Sequence, residues 1–421
     1  MNRWTRREFA RLAGTAGLVA VARPTLAQGK ARVVIVGGGP GGATAAKYLA
    51  ETAPSLEVTL VEANAQYRTC FFSNLCLAGL RPFESLAHGY DALRTAHGVT
   101  VVHDSVVAVD PRARSVRLAG GQSLPYDRLV MAPGIDFRYE AIEGYSESVA
   151  KLMPHAWRGG EQARLLREQL EAMPDGGLFV LVAPPDPFRC PPGPYERVSL
   201  VADYFRREKP KAKILVLDAK SKFSKQDLFQ DSWAQRYPGM VEWLPVDFTG
   251  GVKAVVPAER AVKTSDETFK AAVANVIPPQ TAGRIALDTG LANESGWCPV
   301  DPNTLESRLQ PGIHLVGDAI IPGEMPKSAF AANSQAKVCA MAVAAALTGS
   351  RRFEARFFNT CWSFLAVDDA VRVGASYAVV DGKIAATQNF ISKTGEAADT
   401  RAATARQAIA WYAAITADMF A

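Results

Sequence analysis

The chain contains no CxxCH haem-attachment motif and no closely spaced pair of cysteines of the zinc type. It therefore carries no c-type haem of its own and no structural zinc of the usual kind. It also has no internal repeat and no low-complexity tract, which excludes solenoid and fibrous architectures. Charge of one sign is scarce as well. The formal net charge is +5, and five arginines (Arg3, Arg6, Arg7, Arg11, Arg23) against Glu8 at the extreme N-terminus supply most of it. The body is close to neutral, which argues against nucleic acid as a partner. Cysteine is sparse, at six in 421 residues, so no disulfide-rich miniature scaffold is present. The N-terminal apolar run LAGTAGLVAVA is too short to span a bilayer.

What is present begins with an export signal. TRREFARLAG carries the twin arginines Arg6 and Arg7, the apolar run follows, and Arg23-Pro24 precedes the small-residue site Thr25-Leu26-Ala27. Residues 1–27 read as a twin-arginine signal peptide, which places the mature protein in the periplasm. That route carries folded proteins, and so suits one that must acquire a cofactor before export.

From Ala31 the string ARVVIVGGGPGGATAAKYLAETAPSLEVTLVEAN predicts a strand, a glycine turn, a helix and a second strand ending in an acid. Gly37, Gly39 and Gly42 fill the GxGxxG positions, and Glu62 follows about 20 residues later. The first glycine permits the tight turn, the second lets the backbone approach a pyrophosphate, and the third lets helix and strand pack closely. Glu62 is placed to accept from a ribose hydroxyl.

Two later strings favour FAD over NAD as the occupant. YDRLVMAPGIDF (126–137) is similar to the strand and turn by which flavoproteins with two dinucleotide domains leave the first. GIHLVGDAI (312–320) is similar to the strand that returns to the flavin, with Asp318 on the ribityl or phosphate side and the next helix N-terminus facing the pyrophosphate. The FAD-binding domain is thus expected to be discontinuous, 30–142 and 278–355. Residues 143–277 repeat the strand, loop, helix, strand rhythm. Where a nicotinamide nucleotide needs glycines, however, the loop carries Pro184, Pro185, Pro187, Pro191, Pro192 and Pro194. Proline lacks the N–H that cradles phosphate, so NAD(P)H is not expected to bind there. The tail, 356–421, predicts antiparallel strands with a hairpin turn at Asp381-Gly382 and a final apolar helix docked on its own protein. The fold class expected is α/β: two Rossmann-like dinucleotide-binding units and a C-terminal α+β domain.

Composition and spacing leave the cysteines undecided. Cys70, in YRTCFFSN, could be a buried small hydrophobe or a reactive thiol, and Cys190 and Cys361 could be a staple or a redox pair. Cys76 and Cys339 read as core thiols, while Cys298 has no role that can be derived.

The strings IVGGGPGG, YRTCFFSN, PFRCPPGPYER, VIPPQ, WCPVDPNTLES, HLVGDA and NTCWSFLA together span the chain beyond its signal. The chain resembles the flavoprotein subunit of flavocytochrome c sulfide dehydrogenase, in the sulfide:quinone oxidoreductase branch of the glutathione-reductase-like flavoproteins. The resemblance implies a thioether from Cys70 to the flavin 8α-methyl and a redox-active disulfide between Cys190 and Cys361. It also implies proton acceptance by Glu196, with a solvated surface carboxylate as the plain alternative. Lys327, just beyond the GDA segment, would favour negative charge on reduced flavin. Sulfide would attack the disulfide and the electrons would pass to FAD. They would then leave to a c-type cytochrome subunit in a heterodimer without an integral membrane segment. The alternatives are a sulfide:quinone oxidoreductase and an accessory flavoprotein acting on a sulfur-carrier protein.

Overall fold

The computed structural model describes residues 29–421. The twin-arginine segment lies outside the described residues.

The first sheet has five parallel strands in the order Ile313–Leu315, Arg128–Met131, Arg32–Val36, Glu57–Val61, Thr100–Val102. Inward of the edge strand Thr100–Val102, their β-branched residues are buried on both faces, as a sheet covered by helices requires. Strand Arg32–Val36 has its successor in sequence on one side and the late strands on the other, so a crevice opens at its carboxyl end. The glycine turn occupies that crevice. Gly37 has φ +95°, and a Cβ on Gly42 would lie 1.8 Å from the Gly37 carbonyl oxygen. Helix Pro40–Thr52 could not approach the sheet with a side chain there.

Helix Ala329–Thr348 packs on Pro40–Thr52. It starts at Ser328, whose hydroxyl accepts from the Ala331 N–H at 3.1 Å. Among the described residues it is the one helix long and apolar enough to cross a membrane, and most of it is buried inside the protein. It is a core helix, rich in alanine because two helices approach closely.

The second parallel sheet runs Val241–Leu244, Lys213–Asp218, Leu178–Ala183, Val273–Val276. Its own switch point lies at the carboxyl end of Leu178–Ala183. There the proline loop emerges and leads into helix Gly193–Glu208.

The tail forms a three-stranded antiparallel sheet, Arg356–Ala366, Asp369–Val380 and Lys383–Ile391, followed by helix Ala398–Phe420. Asp381 and Gly382 both have positive φ, as a two-residue type I′ hairpin demands. The helix lies back on the first unit. Phe420 stacks on Tyr67 at 5.8 Å and on His88 at 5.2 Å, and the Tyr412 hydroxyl meets Thr69 at 3.0 Å. The tail thereby carries strand Arg356–Ala366 against helix Gly193–Glu208. The resulting fold is α/β, with two Rossmann-like units and a C-terminal α+β portion.

Candidate active site

A groove of about 390 Å³ opens at the first switch point, bordered by Gly37, Gly39, Glu62, Tyr67, Arg158 and Asp318. Glu62 receives the Gly38 N–H on one oxygen at 2.8 Å and both the backbone and side-chain N–H of Asn64 on the other. The oxygen facing Gly38 keeps a further lone pair for a ligand hydroxyl, while the other is filled by the two Asn64 donors. Gly39 faces the groove, where a Cβ would meet the Tyr67 ring at 3.3 Å. Asp318 is half-buried, and its buried Oδ1 has no hydrogen-bond partner. Burial holds its carboxyl above the usual range. A buried acceptor without a donor, bordering a groove that also holds helix N-terminal N–H groups and Arg158, fits the hydroxyls and phosphates of FAD.

The groove ends against a second, smaller cavity of about 90 Å³. Its walls include Cys70, Cys190, Glu196, Arg197, Cys361 and Trp411. Cys70, Phe71, Arg189 and Ala329 border both spaces. The N-terminus of helix Ala329–Thr348 therefore stands at the junction, at the inner end of the groove rather than only beside the glycine turn. Its dipole favours negative charge at that inner end.

Three cysteines distant in sequence converge here. Cys70 lies in a turn before the short helix Ser73–Leu77, and its carbonyl accepts the Ser73 hydroxyl at 2.6 Å. Cys190 has φ 59°, and its N–H donates to the Lys327 carbonyl at 2.8 Å. Its sulfur rests over Gly193, where a Cβ would come within 2.9 Å of it. Cys361 is delivered by strand Arg356–Ala366, and the Asn359 amide lies 3.4 Å from its sulfur. Cys190 and Cys361 are free thiols in the structure rather than bonded to each other. Burial pushes both thiols up, while Lys225 pulls both down.

Glu196 is not a surface carboxylate. It lines the cavity, accepting from Asn74 Nδ2 at 2.7 Å and from the Phe364 N–H at 3.0 Å. Burial raises its pKa. The adjacent Arg197 is 1 % exposed. It donates to Asn74 Oδ1, Asn275 Oδ1 and the carbonyls of His155 and Ala156, with its guanidinium 5.0 Å from the Trp157 ring centroid. Burying an ion without such partners costs several kcal/mol. Burial still lowers its pKa to about 9.

Lys327 departs from expectation. Its ammonium donates to the carbonyls of Asp318 at 2.8 Å and Ile320 at 2.6 Å and lies 3.7 Å from the Trp297 ring centroid. It borders neither cavity. Its donors are committed to the turn, and burial brings its pKa down to about 8. Lys327 fixes the Asp318 turn and, through its own carbonyl, the Cys190 loop.

Cys76, Cys298 and Cys339 are buried outside both cavities. The sequence reading missed Tyr67, Asn74, Arg158, Arg189, Arg197 and Trp411. Arg189 and Arg197 flank the cysteine in RCPPGPYER, and that proximity was the only signal available.

Residues 163–278 match the family described as sulfide dehydrogenase (flavocytochrome c) flavoprotein chain, central. Residues 353–420 match flavocytochrome c sulphide dehydrogenase, flavin-binding, and 31–170 match pyridine nucleotide-disulphide oxidoreductase. Over 46 residues the chain is 59 % identical to the sulfide dehydrogenase flavoprotein chain of Chlorobaculum thiosulfatiphilum, covering 96 % of that sequence and 11 % of this one. It is 25 % identical over 317 residues to the mitochondrial sulfide:quinone oxidoreductase of Mus musculus, covering 72 % of this chain and 68 % of that one. The crystal structure of the sulfide:quinone oxidoreductase from Aquifex aeolicus shares the fold, with a TM-score of 0.74 at 16 % identity over 92 % of each chain. The chain belongs to the flavoprotein-chain family of flavocytochrome c sulfide dehydrogenase, FAD-dependent oxidoreductases acting on sulfide.

Proposed function

We propose that this protein oxidises sulfide at a Cys190–Cys361 disulfide, passes two electrons to FAD tethered by Cys70, and delivers them to a c-type cytochrome subunit. The observation that carries this reading is the meeting of Cys70, Cys190, Cys361 and Glu196 around one cavity at the inner end of a dinucleotide groove. A structural staple has no use for a buried carboxylate and a buried guanidinium beside it.

Bound FAD supplies the two-electron sink. Gly37 and Gly39 would admit the pyrophosphate while Gly42 lets the helix approach the turn, Glu62 would take a ribose hydroxyl, and Asp318 would supply an acceptor toward the ribityl side. Hydrosulfide opens the disulfide to a persulfide and a thiolate, and Glu196 takes the proton released. Asn74 bridges Glu196 and Arg197, holding that carboxylate toward the cavity.

The second unit supports the absence of a nicotinamide site from two directions. The proline loop offers no N–H cradle. Asp218, at the strand end where such a site keeps its ribose acceptor, is already bonded to the Tyr195 hydroxyl at 2.5 Å, the Trp243 indole at 2.9 Å and Lys220 at 2.7 Å. Tyr195 and Phe223 stack at 3.6 Å beside it.

The names of the curated relatives favour quinone as a second reading for the acceptor. Export to the periplasm by the twin-arginine route belongs to the cytochrome reading.

The test is a peptide map of the denatured, unreduced protein by mass spectrometry, paired with anaerobic sulfide titration of the bound flavin. The reading requires flavin on the Cys70 peptide, linked Cys190 and Cys361 peptides, and bleaching by sulfide. Free peptides at these positions would defeat it.

A further inference from the structure

Lys225 has no part in the scheme above, yet it lies against the sulfur site. It precedes helix Gln226–Arg236 with φ 63°, a left-handed conformation that a lysine rarely adopts. It is 6 % exposed. Its ammonium donates to the Ser363 hydroxyl at 2.6 Å and to the Cys361 carbonyl at 3.2 Å. Both acceptors are neutral. Cys361 and Ser363 alternate onto one face of their strand, and Lys225 caps that face.

Other charged and titratable groups surround the same sulfur. Glu196 and Arg197 face it from helix Gly193–Glu208, Arg189 and Cys190 from the proline loop, and Tyr377 from the neighbouring strand. Cys70 closes the flavin side and Glu324 borders the outer side, while Asn359 touches the sulfur itself. Within this set, Lys225 is the cation whose ammonium is bonded to the strand carrying Cys361. Arg197 is consumed by four neutral acceptors on the other side of Asn74.

We propose that Lys225 is the charge partner of Cys361, a positioning residue that makes Cys361 the sulfur on which negative charge rests when the disulfide opens. This rests on the disulfide reading. Hydrosulfide attacks the Cys190 sulfur, and a new S–S bond forms there. The Cys190–Cys361 bond breaks, and its electron pair stays on Cys361 as thiolate. The proton of the Cys190 persulfide passes to Glu196, and the step itself needs no external oxidant. Burial draws the Lys225 ammonium down to about 8, so it is still charged at neutral pH and gains most when a thiolate forms beside it.

The test measures Cys361 itself. Reduced, FAD-loaded protein is alkylated with iodoacetamide across pH 6 to 10, and modification of the Cys361 peptide is followed by mass spectrometry. In Lys225→Met the alkylation midpoint should move up by about one pH unit, a roughly tenfold loss of thiolate at neutral pH, and Lys225→Arg should restore most of it. Cys190 should move less. An unchanged Cys361 midpoint in a Lys225→Met protein that keeps its flavin overturns the proposal. Should that variant fail to fold, Ser363→Ala leaves the lysine in place and frees one ammonium N–H. The Cys361 midpoint should then fall, and a midpoint that stays or rises overturns the proposal. Sulfide bleaching of the wild-type flavin is scored separately, so failure of the disulfide reading and failure of the lysine's role are distinguishable.

Discussion

Gly193 shows how closely a residue with no chemistry of its own governs the sulfur pair. A methyl group there would meet the Trp157 ring at 2.7 Å and the Cys190 sulfur at 2.9 Å. Both obstacles are side chains, so the chain can still fold around alanine at an overpacking cost of about 1–3 kcal/mol. Relief comes from moving the sulfur. Gly193→Ala should retain FAD and lower the melting temperature modestly, while sulfide-driven flavin bleaching slows roughly tenfold or more, since displacements near 1 Å cost that much in positioning. Stopped-flow bleaching at the wild-type rate would show that the sulfur does not rest against this glycine. Glu196 supplies a second prediction. Burial raises its pKa, so the carboxylate form, the one able to take a proton, is filled only above that raised value. Bleaching should therefore climb with pH through an acidic limb. Glu196→Gln should remove the limb and slow the neutral-pH rate by about 10²-fold, and a Gln variant that keeps the limb would assign it to another group. Glu196 illustrates how far single residues were legible. Its position came from the resemblance, but its burial did not, because Asn74 and the Phe364 N–H reach it from remote segments. Arg197 and Lys225 were missed for the same reason. An isolated cation in a sequence looks like a solvated surface charge until the fold closes over it.

At the scale of elements, strand, glycine turn, helix and acid were legible because their signals are local. The hairpin at Asp381-Gly382 was legible for the same reason. The proline loop was legible only as a deficiency of N–H donors. The structure adds that Tyr195 and Phe223 fill space beside it and that Asp218 spends both oxygens within the protein. Tyr195 and Asp218 lie on different elements, so no local pattern pairs them. Asp218 accepts four hydrogen bonds, from the Tyr195 hydroxyl, the Trp243 indole and the Lys220 backbone N–H and ammonium, so a nicotinamide nucleotide would have to displace donors to gain one, and net worth per bond is about 1 kcal/mol, or more when the acceptor is charged. Neither NADH nor NADPH at millimolar concentration should bleach the flavin anaerobically in protein that sulfide bleaches at once. Bleaching by either nucleotide would show that the second unit still binds one.

For the whole molecule, the question is where two electrons go. The tail helix returns across the first unit and brings Trp411 to the inner cavity, while Phe420 and Tyr412 close over the segment carrying Cys70. The flavin end of the groove is thus walled by the chain's own C-terminus, and the second unit's switch point is filled. A lipid-borne acceptor needs a surface that enters the bilayer. The long apolar helix Ala329–Thr348 is spent in the core, and the tail helix directs its aromatic residues inward. A protein acceptor needs only an exposed face, and the tail sheet offers Phe358, Phe390 and Ile391, each substantially exposed. A one-electron haem carrier can take the electrons of reduced flavin in two successive steps. With sulfide as donor, the detergent-free protein should reduce a c-type cytochrome at least tenfold faster than a water-soluble quinone analogue at equal concentration. The comparison is read as initial rates at the haem and quinone absorbance bands. Preference for the quinone by the same margin would move the chain to the quinone-linked reading and leave its sulfur chemistry intact.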